Sequence, residues 1–334
     1  MEEVYPSIFL IKEEGSFGVI KPPENLYVIA GKNGLIIDGG YGTIWTIKHA
    51  VSEIKKIEQM YEDKGQSCNI TRALPSHVHP DHVSGLKKLR KYLGTEIVLT
   101  EKMAGIIKDK DSYLDYYRSD VTLEESYESK SLKILLGNYF RKVSYRFLFN
   151  FIYGITFIPN PDKIIKENTS ISINGESWDI FPSPGHSSDH ISLYNEQKGI
   201  LFAGDNVLRT VTTWLGPPNS DIERYMETIK KIKDLPNLKL ILPSHGSPVT
   251  NPQQRLDEIL AHRKKKTQQV LEIINKNRET GISLHEILEK LYPNKGTFMH
   301  GVARGWVILT LRMLWSENKI EYRVQNKRLK FFPK

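Results

Sequence analysis

A histidine-rich heptapeptide at residues 76–82 (SHVHPDH) constrains this chain more than any other stretch. It directly follows an apolar run that predicts a buried strand. His77 and His79 alternate along the chain, so an extended backbone projects both rings to one side. Asp81 and His82 come after a proline, which keeps the preceding residues extended and helps to turn the chain. The second pair is therefore expected beside the first but aimed at a different point, which predicts two neighbouring metal ions.

A polar surface loop that is merely rich in histidine is the alternative interpretation. The chain has only ten histidines, and three of them lie with an aspartate inside six residues, which disfavours that alternative. Other candidate ligands each follow an apolar run that predicts a strand: His186 in PSPGHSSDH, Asp205 in LFAGD and His245 in LILPSHG. Loops beyond the carboxyl ends of such strands can converge on one edge of a sheet.

Residues that contact the ligands from the side away from the ions, here called outer residues, are expected to hold the ligands in place. Asp38 ends an apolar strand ahead of two glycines, where it either caps the turn or accepts a hydrogen bond from a metal-bound imidazole. The sequence leaves both roles open. Ser76 and Ser244, each directly before a candidate ligand, complete the expected set of outer residues.

The assembled ligands predict a dinuclear hydrolytic centre. One ion would be held by His77, His79 and His186, and the second by Asp81, His82 and His245. Asp205 would bridge the two ions, because a carboxylate has two oxygens. Solvent between the ions would lose a proton near neutral pH and attack a carbonyl or phosphoryl centre as a bridging hydroxide. Asp81 and Asp205 are therefore the expected catalytic carboxylates. Imidazole-rich ligation favours two zinc ions (Zn2+), with manganese and iron as alternatives.

The C-terminal quarter differs from the rest of the 334-residue chain. Residues 253–334 carry 17 Lys and Arg against 8 Asp and Glu, so they account for the net charge of +8. Helical patterns, one opening with a capping box at residues 283–286, precede a short basic hairpin, and this order predicts a winged helix. We therefore expect a catalytic domain over 1–252 and a winged-helix-like domain over 253–334. The basic excess favours either nucleic-acid binding or a solvated surface.

Residues 101–168 break the alternation of strands and helices and become rich in Tyr and Phe, with several Arg and Lys. Core packing by an inserted helical segment is the preferred interpretation. A lid or wall of an apolar substrate pocket and a membrane-surface element are the alternatives.

The ligand motifs, in their order HVHPDH, GHS, GD and SHG, resemble those of the metallo-β-lactamase superfamily, and Asp38 matches its early strand-end aspartate. The resemblance covers about residues 1–250. It implies an α/β fold, the αββα sandwich, with the dinuclear zinc roles given above. The segment around His186 resembles the glyoxalase II-like branch. The C-terminal winged helix is similar to that of β-lactamase-like protein 2, an endoribonuclease acting on single-stranded RNA, and not to the glutathione-binding domain of glyoxalase II.

Two functions are weighed. A small-molecule hydrolase would cleave an ester, thioester or lactone carbonyl, whereas an endoribonuclease would use the same site together with the basic C-terminal segment. A DNA-binding sensor is disfavoured, because the recognition helix expected at 299–316 is mostly apolar. A small-molecule substrate is the expected partner, and nucleic acid and a homodimer are left open. The single cysteine, the absence of a secretory signal and the lack of an apolar run of about 20 residues favour a cytoplasmic protein without a membrane span.

Overall fold

The computed structural model describes residues 1–13, 21–118, 152–325 and 328–334. Its first sheet has seven strands in the order β1 to β7, so neighbours in sequence are also neighbours in space. The strands are β1 Glu2–Tyr5, β2 Ile8–Lys12, β3 Asn25–Ile29, β4 Gly34–Ile37, β5 Ile70–Leu74, β6 Glu96–Thr100 and β7 Lys163–Ile165. The first four strands are antiparallel, and β4 to β7 run parallel. The carboxyl ends of β4 and β5 therefore lie side by side.

The second sheet has five strands in the order β12-β11-β10-β9-β8. Its strands are β8 Thr169–Ile173, β9 Glu176–Pro182, β10 Ile191–Asn195, β11 Ile200–Gly204 and β12 Leu240–Pro243. Only β11 and β12 pair in parallel, and the other pairs are antiparallel. Because β9 and β11 both run antiparallel to β10, the ends of β9, β11 and β12 face the same edge. A hairpin turn at Asn174 and Gly175 joins β8 and β9, with positive φ at both residues, as an Asn-Gly turn requires.

Helices of the described residues flank the two sheets. They are α1 Ile44–Glu62, α2 Pro80–Val83, α3 Leu86–Leu93, α4 Glu101–Ile107, α5 Lys110–Tyr116, α6 Ile222–Lys233, α7 Pro252–Asn275, α8 Leu284–Leu291 and α9 Gly296–Ser316. The sequence pattern predicts one helix over residues 83–93, but the structure interrupts it between α2 and α3. At the break the Gly85 N–H donates to the carbonyl oxygen of Gly40 at 2.9 Å, so the backbone bonds across the fold there and not along a helix.

The core lies in three apolar contact zones that define four layers. Between the sheets, Tyr27 of β3 meets Phe202 of β11 with ring centroids 5.3 Å apart, and both belong to one buried cluster. The outer face of the first sheet packs on α1 and α3 through buried residues such as Ile54 and Leu89. A second cluster joins the outer face of the second sheet to α6 and α7, for example through Tyr225. This layering is the αββα sandwich that the resemblance implied.

The C-terminal segment follows the predicted order of helices and hairpin. The predicted capping box opens α8, since the Ser283 side chain accepts from the Glu286 N–H and the Glu286 side chain accepts from the Ser283 N–H. After α9, which begins three residues earlier than the sequence pattern indicated, β13 Ile320–Gln325 pairs antiparallel with β14 Arg328–Pro333. Helices α7 to α9 share the second apolar cluster with the second sheet, so this segment packs directly on the sandwich.

The segment 101–168 contributes α4, α5 and β7 to the sandwich, and Tyr113 of α5 is buried in its core. Most of the aromatic run lies in residues 119–151, outside the described residues. The preferred interpretation and its two alternatives stay predictions there. In the parts of the chain that the structure describes, no helix combines the length and apolar character that crossing a membrane requires.

Candidate metal centre

The candidate ligands gather where the strands of both sheets end. Strand β5 leads into His77, β9 into His186, β11 into Asp205 and β12 into His245. Helix α2 begins within the heptapeptide directly after His79, with Pro80 at its first position, and carries Asp81 and His82. The structure thereby brings together all seven residues that the sequence singled out, and two clusters able to hold an ion include them.

The first ligand set consists of His77, His79, His186 and Asp205. The Nδ1 atom of His79 lies 2.8 Å from Nε2 of His77 and 3.0 Å from Nε2 of His186. Nε2 of His186 is in turn 3.4 Å from Oδ2 of Asp205. Three ring nitrogens and one carboxylate oxygen therefore converge on one small volume.

The second ligand set consists of Asp81, His82 and His245. Nε2 of His245 lies 3.4 Å from Oδ2 of Asp81 and 3.4 Å from Oδ1 of Asp205. Nε2 of His82 lies 3.6 Å from Oδ1 of Asp81 and 3.8 Å from Oδ2 of Asp205. Asp205 thus contacts both sets, because its Oδ2 lies near His186 of the first set and His82 of the second, and its Oδ1 lies near His245 of the second.

These donors fit metal ions. A tetrahedral ion with bonds of 2.0–2.1 Å to nitrogen spaces its ligand atoms about 3.3 Å apart, and the separations within both sets are near that value. Nε2 of His82 and Oδ1 of Asp205 are buried and find no hydrogen-bond partner among the described residues. A buried polar atom without a partner is costly, and a cation would satisfy both atoms.

The imidazoles of the first set are neutral at physiological pH. Burial, together with the neighbouring His186, lowers the pKa of His79 to about 3. Burial likewise holds the pKa of His77 well below its usual range and lowers that of His186. Since a metal binds the neutral imidazole, these three rings are ready to coordinate without losing a proton.

The second set holds opposite charges. Burial opposes protonation of His82, but Asp38, Asp81 and other nearby carboxylates outweigh it and raise its pKa well above the usual value. The pKa of His245 is raised well above its usual value against burial, chiefly by Asp205. Burial acts to raise the pKa of Asp81, yet His82 and His245 lower it to about 2. The raised pKa values of the two imidazoles therefore favour their protonated forms beside the two carboxylates.

Asp38 does more than cap a turn. Its Oδ1 accepts from the backbone N–H of Ser76 at 2.7 Å, and its Oδ2 accepts from Oγ of Ser244 at 2.6 Å. Oδ2 also lies 3.1 Å from Nδ1 of His82, on the side of the ring away from the other ligands. Oγ of Ser76 is 3.0 Å from Nδ1 of His77. The three expected outer residues therefore form one buried connection between the heptapeptide and the loop before His245.

Glu24 is a residue near the site that sequence reasoning missed. It is fully buried directly before β3, and its Oε1 lies 3.3 Å from Nδ1 of His82. Neither carboxylate oxygen hydrogen-bonds to a described residue, and burial raises the pKa of the group well above its usual range. Glu24, Asp38 and His82 form a third cluster whose ligand atoms lie within 4.8 Å of one another. Two carboxylates thus face one imidazole nitrogen.

Backbone carbonyls fix two other ligand rings. Nδ1 of His186 donates to the carbonyl oxygen of Trp214 at 2.8 Å, and Nδ1 of His245 donates to that of Pro23 at 2.7 Å. A carbonyl can only accept, so each ring carries a proton on Nδ1 and turns Nε2 toward the carboxylates.

Two further residues position the ligand loops. His190 is buried, and its Nε2 accepts the backbone N–H of Asp205 at 3.2 Å, so it supports the backbone at the bridging position. Asp189, which the sequence did not single out, accepts from the backbone N–H of Val78 at 2.8 Å and from the Tyr116 hydroxyl at 2.6 Å. It therefore holds the backbone between the first two histidines.

A family model described as the metallo-beta-lactamase superfamily matches residues 21–245. The chain belongs to this superfamily. The match confirms the resemblance that the motifs indicated, and it makes the chain a superfamily hydrolase with a His/Asp cluster suited to metal ions.

Curated relatives agree with this assignment over part of their length. A beta-lactamase-like protein 2 homolog from Caenorhabditis elegans is 27% identical over 157 residues, which cover 47% of this chain and 51% of that protein. An atrochrysone carboxyl ACP thioesterase from Aspergillus fumigatus is 30% identical over 114 residues, 34% of this chain and 35% of that protein. The chain spans about half the length of the first of these relatives and less of the second.

Solved structures share the fold over the whole chain. A metallo-beta-lactamase family protein from Thermus thermophilus aligns with a TM-score of 0.71 and 18% identity, covering 99% of this chain and 100% of its own. A beta-lactamase domain protein from Burkholderia ambifaria gives 0.74 and 17%, covering 100% and 93%. At these identities the likeness concerns the fold alone, and it extends through the C-terminal helices.

Proposed function

We propose that this superfamily member is a dinuclear metal-dependent hydrolase that cleaves an ester, thioester or lactone carbonyl of a small molecule. The observation that carries the proposal is the position of Asp205, whose two oxygens face the two ligand sets. A carboxylate shared between two converging sets is the arrangement that a pair of ions requires. Among the relatives, the thioesterase from Aspergillus fumigatus supports an acyl compound as the substrate.

The proposed ligands are those predicted from the sequence. His77, His79 and His186 would hold one ion, and Asp81, His82 and His245 the other, with Asp205 between them. Two zinc ions are favoured by the imidazole-rich donor set, with manganese or iron as alternatives. When bound, such ions supply a deprotonated water at neutral pH and polarise the carbonyl.

The residues of the chain would orient and stabilise this chemistry. The buried network of Asp38, Ser76 and Ser244 would keep the heptapeptide and the His245 loop in register. Asp81 and Asp205 would offset the positive charge of the centre. As carboxylates near the attacked carbon, they would also accept and return protons. Hydrolysis consumes one water, breaks the bond from the carbonyl to oxygen or sulfur, and delivers one proton to the leaving group.

The division of the chain is also a proposal. We infer a catalytic domain over 1–252 and a winged-helix-like domain over 253–334, supported by the change from sandwich strands to three helices and a separate two-stranded sheet. The lone Cys68 supports a cytoplasmic location. Single-stranded RNA stays the alternative substrate, and the basic excess of residues 253–334 is the feature that favours it.

The test is a substrate panel on metal-loaded protein. Acyl-thioesters, 4-nitrophenyl esters and lactones would be assayed beside a single-stranded RNA, with and without a chelator. We expect carbonyl hydrolysis that the chelator abolishes and that metal addition restores. The Asp205→Asn variant should lose most of it, because one bridging oxygen becomes an amide nitrogen. Metal-loaded protein that cleaves RNA and none of the carbonyl compounds would refute the proposal in favour of the alternative.

A further inference from the structure

Exposed apolar side chains lie in the loop that contacts His186 and on the helix that packs against this loop. Trp214 is 51% exposed, although a buried position is more usual for so large a side chain. On α9, Phe298 is 66% exposed and Val302 is 39% exposed. Exposed apolar side chains that adjoin one another mark binding surfaces more often than isolated ones do. The packing of the loop that holds Trp214 against α9 brings these side chains toward one another.

Trp214 stands directly behind a candidate ligand. Its carbonyl oxygen accepts the Nδ1–H of His186 at 2.8 Å, so the backbone at residue 214 is one imidazole ring away from the point where the first ligand set converges. The indole ring folds over the next loop residues, because a Cβ on Gly216 would lie 2.4 Å from the Cζ2 atom of Trp214. The ring therefore covers the loop at the rim of the centre.

Helix α9 is packed on the same loop. A Cβ on Gly305 would lie 2.7 Å from the Leu215 carbonyl oxygen and 2.9 Å from the Cα of Gly216, so only a glycine allows this approach. Phe298 and Val302 precede Gly305 by seven and three residues, which places all three on one helix face. At 1.5 Å per residue, they stand about 10 Å and about 4.5 Å from the contact along the helix. The face that touches the loop thus continues into exposed apolar side chains.

We propose that Trp214, Val302 and Phe298 form a surface that binds the apolar acyl group of the substrate while its reacting carbonyl lies at the metal centre. The inference rests on the hydrolase function proposed above. In any acyl-transfer reaction the acyl chain is bonded to the attacked carbon, so it must lie on whatever surface borders the centre. The length of about 10 Å along α9 suits a medium acyl chain of roughly eight carbons. A charged or very short acyl group would gain nothing from this surface.

The test compares thioesters of one leaving group with acyl chains from acetyl to decanoyl. If each added methylene is about half buried on this surface, kcat/KM should rise about twofold for each added carbon. We expect Trp214→Ala and Phe298→Ala each to lower the ratio of kcat/KM for decanoyl over acetyl by about tenfold. Trp315, exposed to the same 51% near the far end of α9, supplies the matched control, and Trp315→Ala should keep the parent ratio.

The outcomes separate this inference from the proposed function. If the parent hydrolyses acyl-thioesters but both variants keep its chain-length ratio, the acyl surface is refuted and the hydrolase stands. If the parent hydrolyses no carbonyl compound, binding of the carboxylates from acetate to decanoate, measured by calorimetry, tests the surface directly. Affinity that rises with chain length in the parent and stays flat in Phe298→Ala supports it, and a flat parent profile overturns it. Equal metal content in all variants shows that the loop behind His186 is intact.

Discussion

The two carboxylates behind His82 allow a sharp test of how the second ligand set is held. Nδ1 of His82 lies 3.1 Å from Oδ2 of Asp38 and 3.3 Å from Oε1 of Glu24. A ring that gives Nε2 to an ion must carry its proton on Nδ1, and either carboxylate can accept it. We therefore predict that Asp38→Asn and Glu24→Gln each weaken binding of the ion held by the second set, and that the double variant weakens it most.

The expected magnitudes follow from what each carboxylate contacts. Losing the outer partner of a metal-bound histidine costs about 10- to 100-fold in affinity, or roughly 1.4 to 2.7 kcal/mol. Glu24 reaches only His82 among the ligands, so Glu24→Gln should lie near tenfold. Asp38 also accepts from Ser76 and Ser244, so Asp38→Asn should lie near 100-fold. Since each carboxylate can replace the other, the double variant should lose more than the roughly 1,000-fold product.

The assay is metal content per chain after equilibration against graded chelator concentrations. For Glu24→Gln we expect one ion to be lost at lower chelator than in the parent, while the other is retained. Glu53→Gln is the matched control, because Glu53 is a buried carboxylate that pairs with Lys56 and the N-terminal ammonium and contacts no candidate ligand. Equal weakening of both ions in Glu24→Gln, or a double variant equal to the product of the singles, would refute the reasoning.

Three further predictions concern protonation and backbone support. Binding of the second ion should release about two protons at pH 7 and binding of the first about none, because the pKa values of the second-set histidines are raised and those of the first set are lowered. Calorimetry in buffers of different ionisation enthalpy measures the number of protons released. Lower pH should selectively weaken binding of the second ion. Gly204→Ala should lower the free energy of unfolding by about 3 kcal/mol or more, since φ is +50° and a Cβ would lie 2.4 Å from His190. Gly65→Ala, at φ +66° with open space around it, should lower it by about 1 kcal/mol. Urea unfolding measures both values. Asp189→Asn should weaken the first ion by loosening the heptapeptide backbone, and Tyr116→Phe should do so less; equal chelator curves for parent and Asp189→Asn would contradict this.

The ligand loops could be predicted from sequence because local pattern determines them. His77 and His79 alternate directly after an apolar strand, and Asp205 and His245 each end one, so strand geometry alone sends these side chains to a sheet edge. The capping box at Ser283 was equally local. In each case the physical cause lies within a few residues of the effect.

The supporting groups could not be predicted, because their role arises from contacts distant in sequence. Glu24 lies 58 positions from the ring that it faces, and nothing beside it in the chain marks it as different from a surface glutamate. The carbonyls of Trp214 and Pro23 have no sequence signature at all, since every residue has one. The break between α2 and α3 likewise coincides with the hydrogen bond from the Gly85 N–H to the Gly40 carbonyl across the fold.

The difference in histidine pKa between the two ligand sets is the clearest property that the sequence could not predict. Both sets consist of the same residue types, so sequence predicts two similar sites. Burial and the neighbouring imidazoles lower the pKa of His77, while Asp38, Asp81 and Glu24 raise that of His82. Binding an ion costs the first set no proton, whereas the second must release its own protons into solvent before its nitrogens can coordinate. The first set should therefore fill before the second, and the order should become more pronounced as the pH falls.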